Sequence, residues 1–134
     1  MNALAITAAV FFSLSASAAY GACTYPRAPE QLPDGEKATK EEMLAAKKVV
    51  TQYNNDITAY LNCLQLETDE QLAALEKEGA ATQQTEADKQ AFKERKEEFE
   101  RRRTQRHNAA FEEVTAVVDR FNEQLRAYKK KHGG

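Results

Sequence analysis

From Met43 onward the apolar residues fall three or four positions apart: Met43, Ala46, Val50, Tyr53, Ile57, Tyr60 or Leu61, and Leu64. That spacing places them on one stripe of a helix, with a coiled-coil-like seam. Glu67 interrupts the stripe before Leu72 and Leu75 resume it. A second stripe runs through Phe92, Phe99, His107, Ala110, Val114, Val117 or Val118, Phe121, Leu125 and Tyr128. Two long amphipathic stripes joined by one short polar connection predict an all-α fold, an antiparallel two-helix hairpin. The pairing puts Val50 near Phe121, Ile57 near Val114 and Leu64 near His107. The densest apolar zone therefore lies at the end that carries the chain termini, and residues 67 to 106 form a thinner, charged arm.

Local signals fit this outline. Thr39 with Glu42, and Thr85 with Asp88, are positioned to cap the two helices. "TDEQ" at Thr68 to Gln71 offers a further capping box, so the first helix is expected to kink or restart near residues 66–70. Gly79 and the polar run after it put the turn at about 79–85. Between Glu36 and His132 there is no proline and only one glycine, and the intervening composition favours helix. The lysines of "KKKHGG" suit the negative end of a helix dipole, and the glycines permit the exit.

The segment before the hairpin has a different composition. Pro26, Pro29 and Pro33 are the only prolines, and they predict an extended, Pro-rich arm over 23–38 that ends in the turn signature "PDG". Residues 1–22 carry no charge, include the apolar run "ALAITAAVFFSL" and end in small residues. This is the pattern of a cleavable signal peptide, and the run is too short to span a bilayer. The domain outline is thus signal peptide 1–22, arm 23–38, hairpin 39–131 and flexible tail 132–134. The expected location is the periplasm or the exterior.

The net charge of −2 suggests neither nucleic acid nor an anionic membrane as partner. The only two cysteines, Cys23 and Cys63, are an even number in an exported chain, which favours a disulfide. At about 1.5 Å per helical residue Cys63 lies about 36 Å beyond Thr39. The arm, at about 3.1 Å per residue, reaches roughly 50 Å and can run back to Cys63. In this arrangement Tyr25 and Leu32 dock along the hairpin. The alternative is lipidation of Cys23, which would make the protein an outer-membrane lipoprotein tether; "YGAC" is a poor lipobox, and lipidation leaves Cys63 unpaired.

No motif supports catalysis, a cofactor or a metal centre. Serine occurs only at Ser13, Ser15 and Ser17, so a chain cut after residue 22 has no serine nucleophile. The candidate polar patch is Arg103 and His107 on the second helix with Glu67 on the first. It reads either as a ligand or pH-responsive site or as a register-setting interruption, and a single histidine is a weak metal site. "RRRTQR", Arg101 to Arg106, offers a grip for phosphate or an acidic polymer. Its four arginines cannot all face one side, however, and neighbouring glutamates offset their field, which favours a solvated helix face.

The segments "PDGEKATKEEM", "YLNCL", "RHNAAFEEV" and "RFNEQLRAYK" resemble a group of small exported bacterial all-helical proteins with no assigned activity. "AFKERKEEFERRRTQRHN" is similar in texture to the helical arms of the Skp/OmpH periplasmic chaperones, which also have a strand-containing body. The expected function is a periplasmic structural or protein-interaction module without enzymatic activity, acting through a protein partner or by self-association. The alternatives are a Skp-like holdase and the lipoprotein tether.

Overall fold

A computed structural model describes residues 23–82 and 85–133. The signal-peptide expectation over 1–22, the centre of the connection at 83–84 and Gly134 lie outside the described residues. The described chain is all-helical and contains two helices: α1, Lys40–Thr82, and α2, Glu86–His132. At about 1.5 Å per residue they are about 65 and 70 Å long. No helix among the described residues is long and apolar enough to cross a membrane.

Both helices begin where the side chains can satisfy free backbone N–H groups. Glu42 N–H donates to Thr39 Oγ1 at 3.2 Å, and Thr39 N–H donates to Glu42 Oε2 at 2.7 Å. Thr85 and Asp88 form the same reciprocal box at the start of α2. These bonds hold the Glu42 carboxyl below its ordinary range, the backbone N–H of Thr39 contributing most. At the other end of α2 Gly133 adopts φ 64° and donates its N–H to the Lys129 carbonyl. A left-handed residue at this position favours glycine.

The third box does not form. Thr68 lies inside an uninterrupted α1, and its hydroxyl donates back to the carbonyls of Leu64 at 2.7 Å and Gln65 at 2.9 Å. Four residues beyond Leu64, it continues the buried stripe at 4 % exposure. Packing against α2 therefore outweighs its capping preference, and back-bonding satisfies the hydroxyl. Gly79 does not end α1 either, since the helix continues to Thr82. A Cβ there would lie 2.2 Å from Phe92 Cε2, so the missing side chain is what admits the Phe92 ring.

One core cluster is concentrated near the termini. It comprises Ala38, Met43, Ala46, Val50, Tyr53, Ile57, Tyr60 and Leu64 with Ala110, Val114, Val117 and Phe121. Tyr60 takes the buried position rather than Leu61, and Val117 rather than Val118. Leu72, Leu75, Phe92 and Phe99 are only half-buried. Beyond Thr68 the hairpin is thin, with ion pairs across the seam in place of a core.

Residues 23–38 contain neither helix nor strand, and their contacts reach both helices. Cys23 and Cys63 are joined, Sγ to Sγ, at 2.00 Å with their Cα atoms 5.8 Å apart. Tyr25 sets its ring edge-on to Tyr60 at 4.9 Å and donates its hydroxyl to Glu113 Oε2 at 2.5 Å. Ala28 and Leu32 pack against the core. Asp34 turns the chain by accepting from the N–H groups of Lys37 and Ala38 at its carbonyl and from Glu36 N–H at its side chain. Gly35 N–H donates to Gln124 Oε1 at 2.9 Å, and a Cβ on Gly35 would meet the Gln124 carbonyl oxygen at 1.9 Å. This close backbone approach is open only to glycine.

Candidate functional site

The middle of the hairpin, where the apolar core gives way to the charged arm, holds the candidate patch. Leu64 and Thr68 on α1 face Arg103 and His107 on α2 across an open groove of about 270 Å³, which also includes Gln65, Glu100 and Asn108. Arg103 Nη2 donates to Gln65 Oε1 at 3.0 Å, and Nη1 reaches Glu100 Oε2 at 3.3 Å. The antiparallel pairing read from the stripes accounts for this meeting of Leu64 with His107.

The three candidate residues do not form one cluster. Arg103 and His107 share the groove, but Glu67 is not among its lining residues. Its Oε2 instead faces Arg106 Nη2 at 3.7 Å and accepts no hydrogen bond, although it is buried. His107 is exposed and does not enter the seam. The physical reason is local: the buried residues of α2 begin at Ala110. Before that point the described apolar residues Phe92 and Phe99 are only half-buried, and the imidazole sits at the rim of the core. Among the described residues there is no group of three or more histidine, cysteine, aspartate or glutamate side chains placed to hold a metal ion.

The arm beyond the groove is held by ion pairs within α2 and between the two helices. Within α2, Glu98 pairs with Arg102 at 3.9 Å and Lys93 with Glu97 at 3.8 Å, each at the i,i+4 spacing. One short pair, Lys89 with Glu86, lies within α2, and two others cross between the helices. Arg95 grips Glu78 through two bonds of 2.9 and 3.1 Å, and Lys96 reaches Glu76 at 2.7 Å. The Arg95 hydrogen bonds and charge hold the Glu78 carboxyl below its ordinary range, and Glu78 in turn raises Arg95. Lys96 is raised by its hydrogen bond to Glu76. These pairs are exposed and screened by solvent, so they add little to stability.

A second polar cluster lies under the arm. Tyr25 is 41 % exposed and Tyr53 is 3 % exposed. Burial comes first, followed for Tyr25 by the hydrogen bond to Glu113 and for Tyr53 by the charge of Glu113, in pushing both phenols above their ordinary value. Tyr53 donates no hydrogen bond of normal geometry. Both phenols are thus held above the ordinary tyrosine range, and the Tyr25 hydroxyl clasps the arm to Glu113 of α2.

The spacing signal that sequence reading missed is the one that brings Arg102, Arg103 and Arg106 together. They line a second groove with Thr68, Gln71 and Phe99. Positions i, i+1 and i+4 span about 100° of a helix, so three of the four arginines share a face while Arg101 lies outside it. In comparisons with known proteins, no family model, no curated protein and no solved structure matches the chain.

Proposed function

We propose that this protein is an exported, non-enzymatic helical module that acts by binding another protein or a second copy of itself. The observation that supports this reading is the division of labour along the hairpin. One end contains the core, the arm contacts and the Cys23–Cys63 pair, while the other projects two charged helices with half-buried apolar residues between them. A bare two-helix seam has little core for its length, and chains of this kind depend on staples or partners. The extended arm of 23–38, clasped to both helices, supplies one staple. The coiled-coil-like seam leaves the outer faces free for contacts.

A paired Cys23 fits an oxidising compartment and leaves no thiol for lipid attachment, which supports the periplasmic or secreted location over a lipoprotein tether. The holdase alternative draws little support from the surface. The exposed large apolar residues Leu44, Val49, Leu66 and Phe111 are spread along both helices, and scattered apolar residues are ordinary on a protein surface.

The test is fractionation of the native host, combined with intact-mass analysis and site-specific crosslinking from Ala74. The expected result is protein in the soluble envelope fraction, cleaved near Ala22, with two thiols appearing only on reduction and one discrete crosslinked species. Recovery from the cytoplasm with both thiols free overturns the export reading. A smear of crosslinked clients, together with suppression of aggregation of an unrelated protein without ATP, replaces the module reading with the holdase.

A further inference from the structure

The groove bounded by Arg102, Arg103 and Arg106 has features that a merely solvated helix face lacks. Its remaining lining is Phe99, Thr68 and Gln71, and among the described residues no carboxylate lines it. The Thr68 hydroxyl proton is committed to the carbonyls of α1, so the donors facing the groove are chiefly guanidinium N–H groups. Such a lining suits a ligand that accepts hydrogen bonds and carries negative charge.

The arginines are incompletely spent on their protein partners. Arg106 lies 3.7 Å from Glu67 and Arg102 lies 3.9 Å from Glu98, while Arg103 reaches Glu100 at 3.3 Å and donates its other terminal nitrogen to Gln65 at 3.0 Å. Charge-assisted hydrogen bonds are ordinarily about 2.7–2.9 Å long, the range reached nearer the tip by Arg95 with Glu78 and Lys96 with Glu76. Each guanidinium has five donors, so the loose pairs place the three groups without exhausting them. Glu67, Glu98 and Glu100 offset the long-range field, and a ligand is therefore held by directed short-range bonds.

We propose that this groove binds the phosphoryl group of a small phosphate or phosphate monoester. One guanidinium fork satisfies the two oxygens of a carboxylate, whereas three forks suit the three free oxygens of a tetrahedral phosphoryl group. The groove volume is about 210 Å³. Given about 30 Å³ per water, it holds a phosphoryl group together with part of an attached organic group. The half-buried Phe99 ring supplies an apolar face for that group, and the adjoining groove of Leu64 and His107, which shares Thr68 and Arg103, continues from it. The inference does not depend on the export or interaction reading.

The test is NMR titration of the oxidised full chain at low salt with inorganic phosphate, phenyl phosphate and benzoate. Saturable shifts at Phe99, Arg102, Arg103 and Arg106 are expected, with phosphate or phenyl phosphate affinity of about millimolar or tighter. Tighter phenyl phosphate assigns the site to organic esters through Phe99, and equal affinities assign it to free phosphate. Arg102→Gln should weaken binding about tenfold or more while leaving the melting temperature unchanged, because its ion pair is long and exposed. Arg101→Gln removes the same charge outside the groove and should change affinity less than about twofold. No saturable shift, equal losses in the two variants, or benzoate binding as tightly as phenyl phosphate would each overturn the proposal.

Discussion

At the scale of single residues, two glycines show why the same residue type has different consequences. Gly79 makes room for the Phe92 ring, a side chain able to move, whereas Gly35 makes room for the backbone of α2 at Gln124 and Tyr128. A backbone carbonyl inside a helix cannot move without breaking the helix. Gly35→Ala is therefore expected to displace the arm and cost more stability than Gly79→Ala. The check is thermal melting of both variants, with hydrogen exchange at Gly35 and Ala38 reporting on the arm; equal effects would mean that the approach at Gln124 relaxes cheaply. Thr68 carries a related lesson, because its identity suggested a cap but its place one turn after Leu64 put it in the seam.

At the scale of elements, the stripes, the capping boxes at Thr39 and Thr85 and the termini-proximal core were legible because each follows from helical periodicity or from backbone groups that need partners. The ion pairs between helices were not, since Glu78 with Arg95 depends on how two separate faces meet. Val114 lies 8 % exposed in the seam of α2. Val114→Asp puts a carboxylate among apolar side chains, a cost of several kcal/mol. It should unfold the termini-proximal half, seen as lost helical circular dichroism and a lower melting temperature. Unchanged melting would remove Val114 from the load of the core. His107 illustrates the limit of periodicity: its position places it on the stripe, but exposure depends on whether the facing surface closes over it.

At the scale of the molecule, the arm ties together two helices that otherwise share a single seam. Cys23 reaches α1 at Cys63, while Tyr25 and Gly35 reach α2 at Glu113 and Gln124. The bridge closes a loop of 40 residues, and in the loop-entropy model a loop of that size stabilises by roughly 3 to 4 kcal/mol. Reduction should lower stability by about 2 to 4 kcal/mol and release Tyr25 from Glu113 while the helices persist. Denaturant melts with and without reductant, read by both circular dichroism and tyrosine fluorescence, check this. If the tyrosine signal were unchanged on reduction, the clasp would be holding the arm without the disulfide.

The amino-acid sequence by itself determined that this chain forms two long helices, where they begin, which stripe each one buries and that the two can pair antiparallel. These are properties of neighbours within a few turns, set by repeat spacing, caps and the near absence of proline and glycine. Only the tertiary structure decided that α1 continues through Thr68 and Gly79, that His107 stays at the rim, and that Glu67 turns to Arg106. It also decided that three arginines share a groove with Phe99. Each of these depends on the surface supplied by the opposite helix, and that surface is specified by residues far away in the chain.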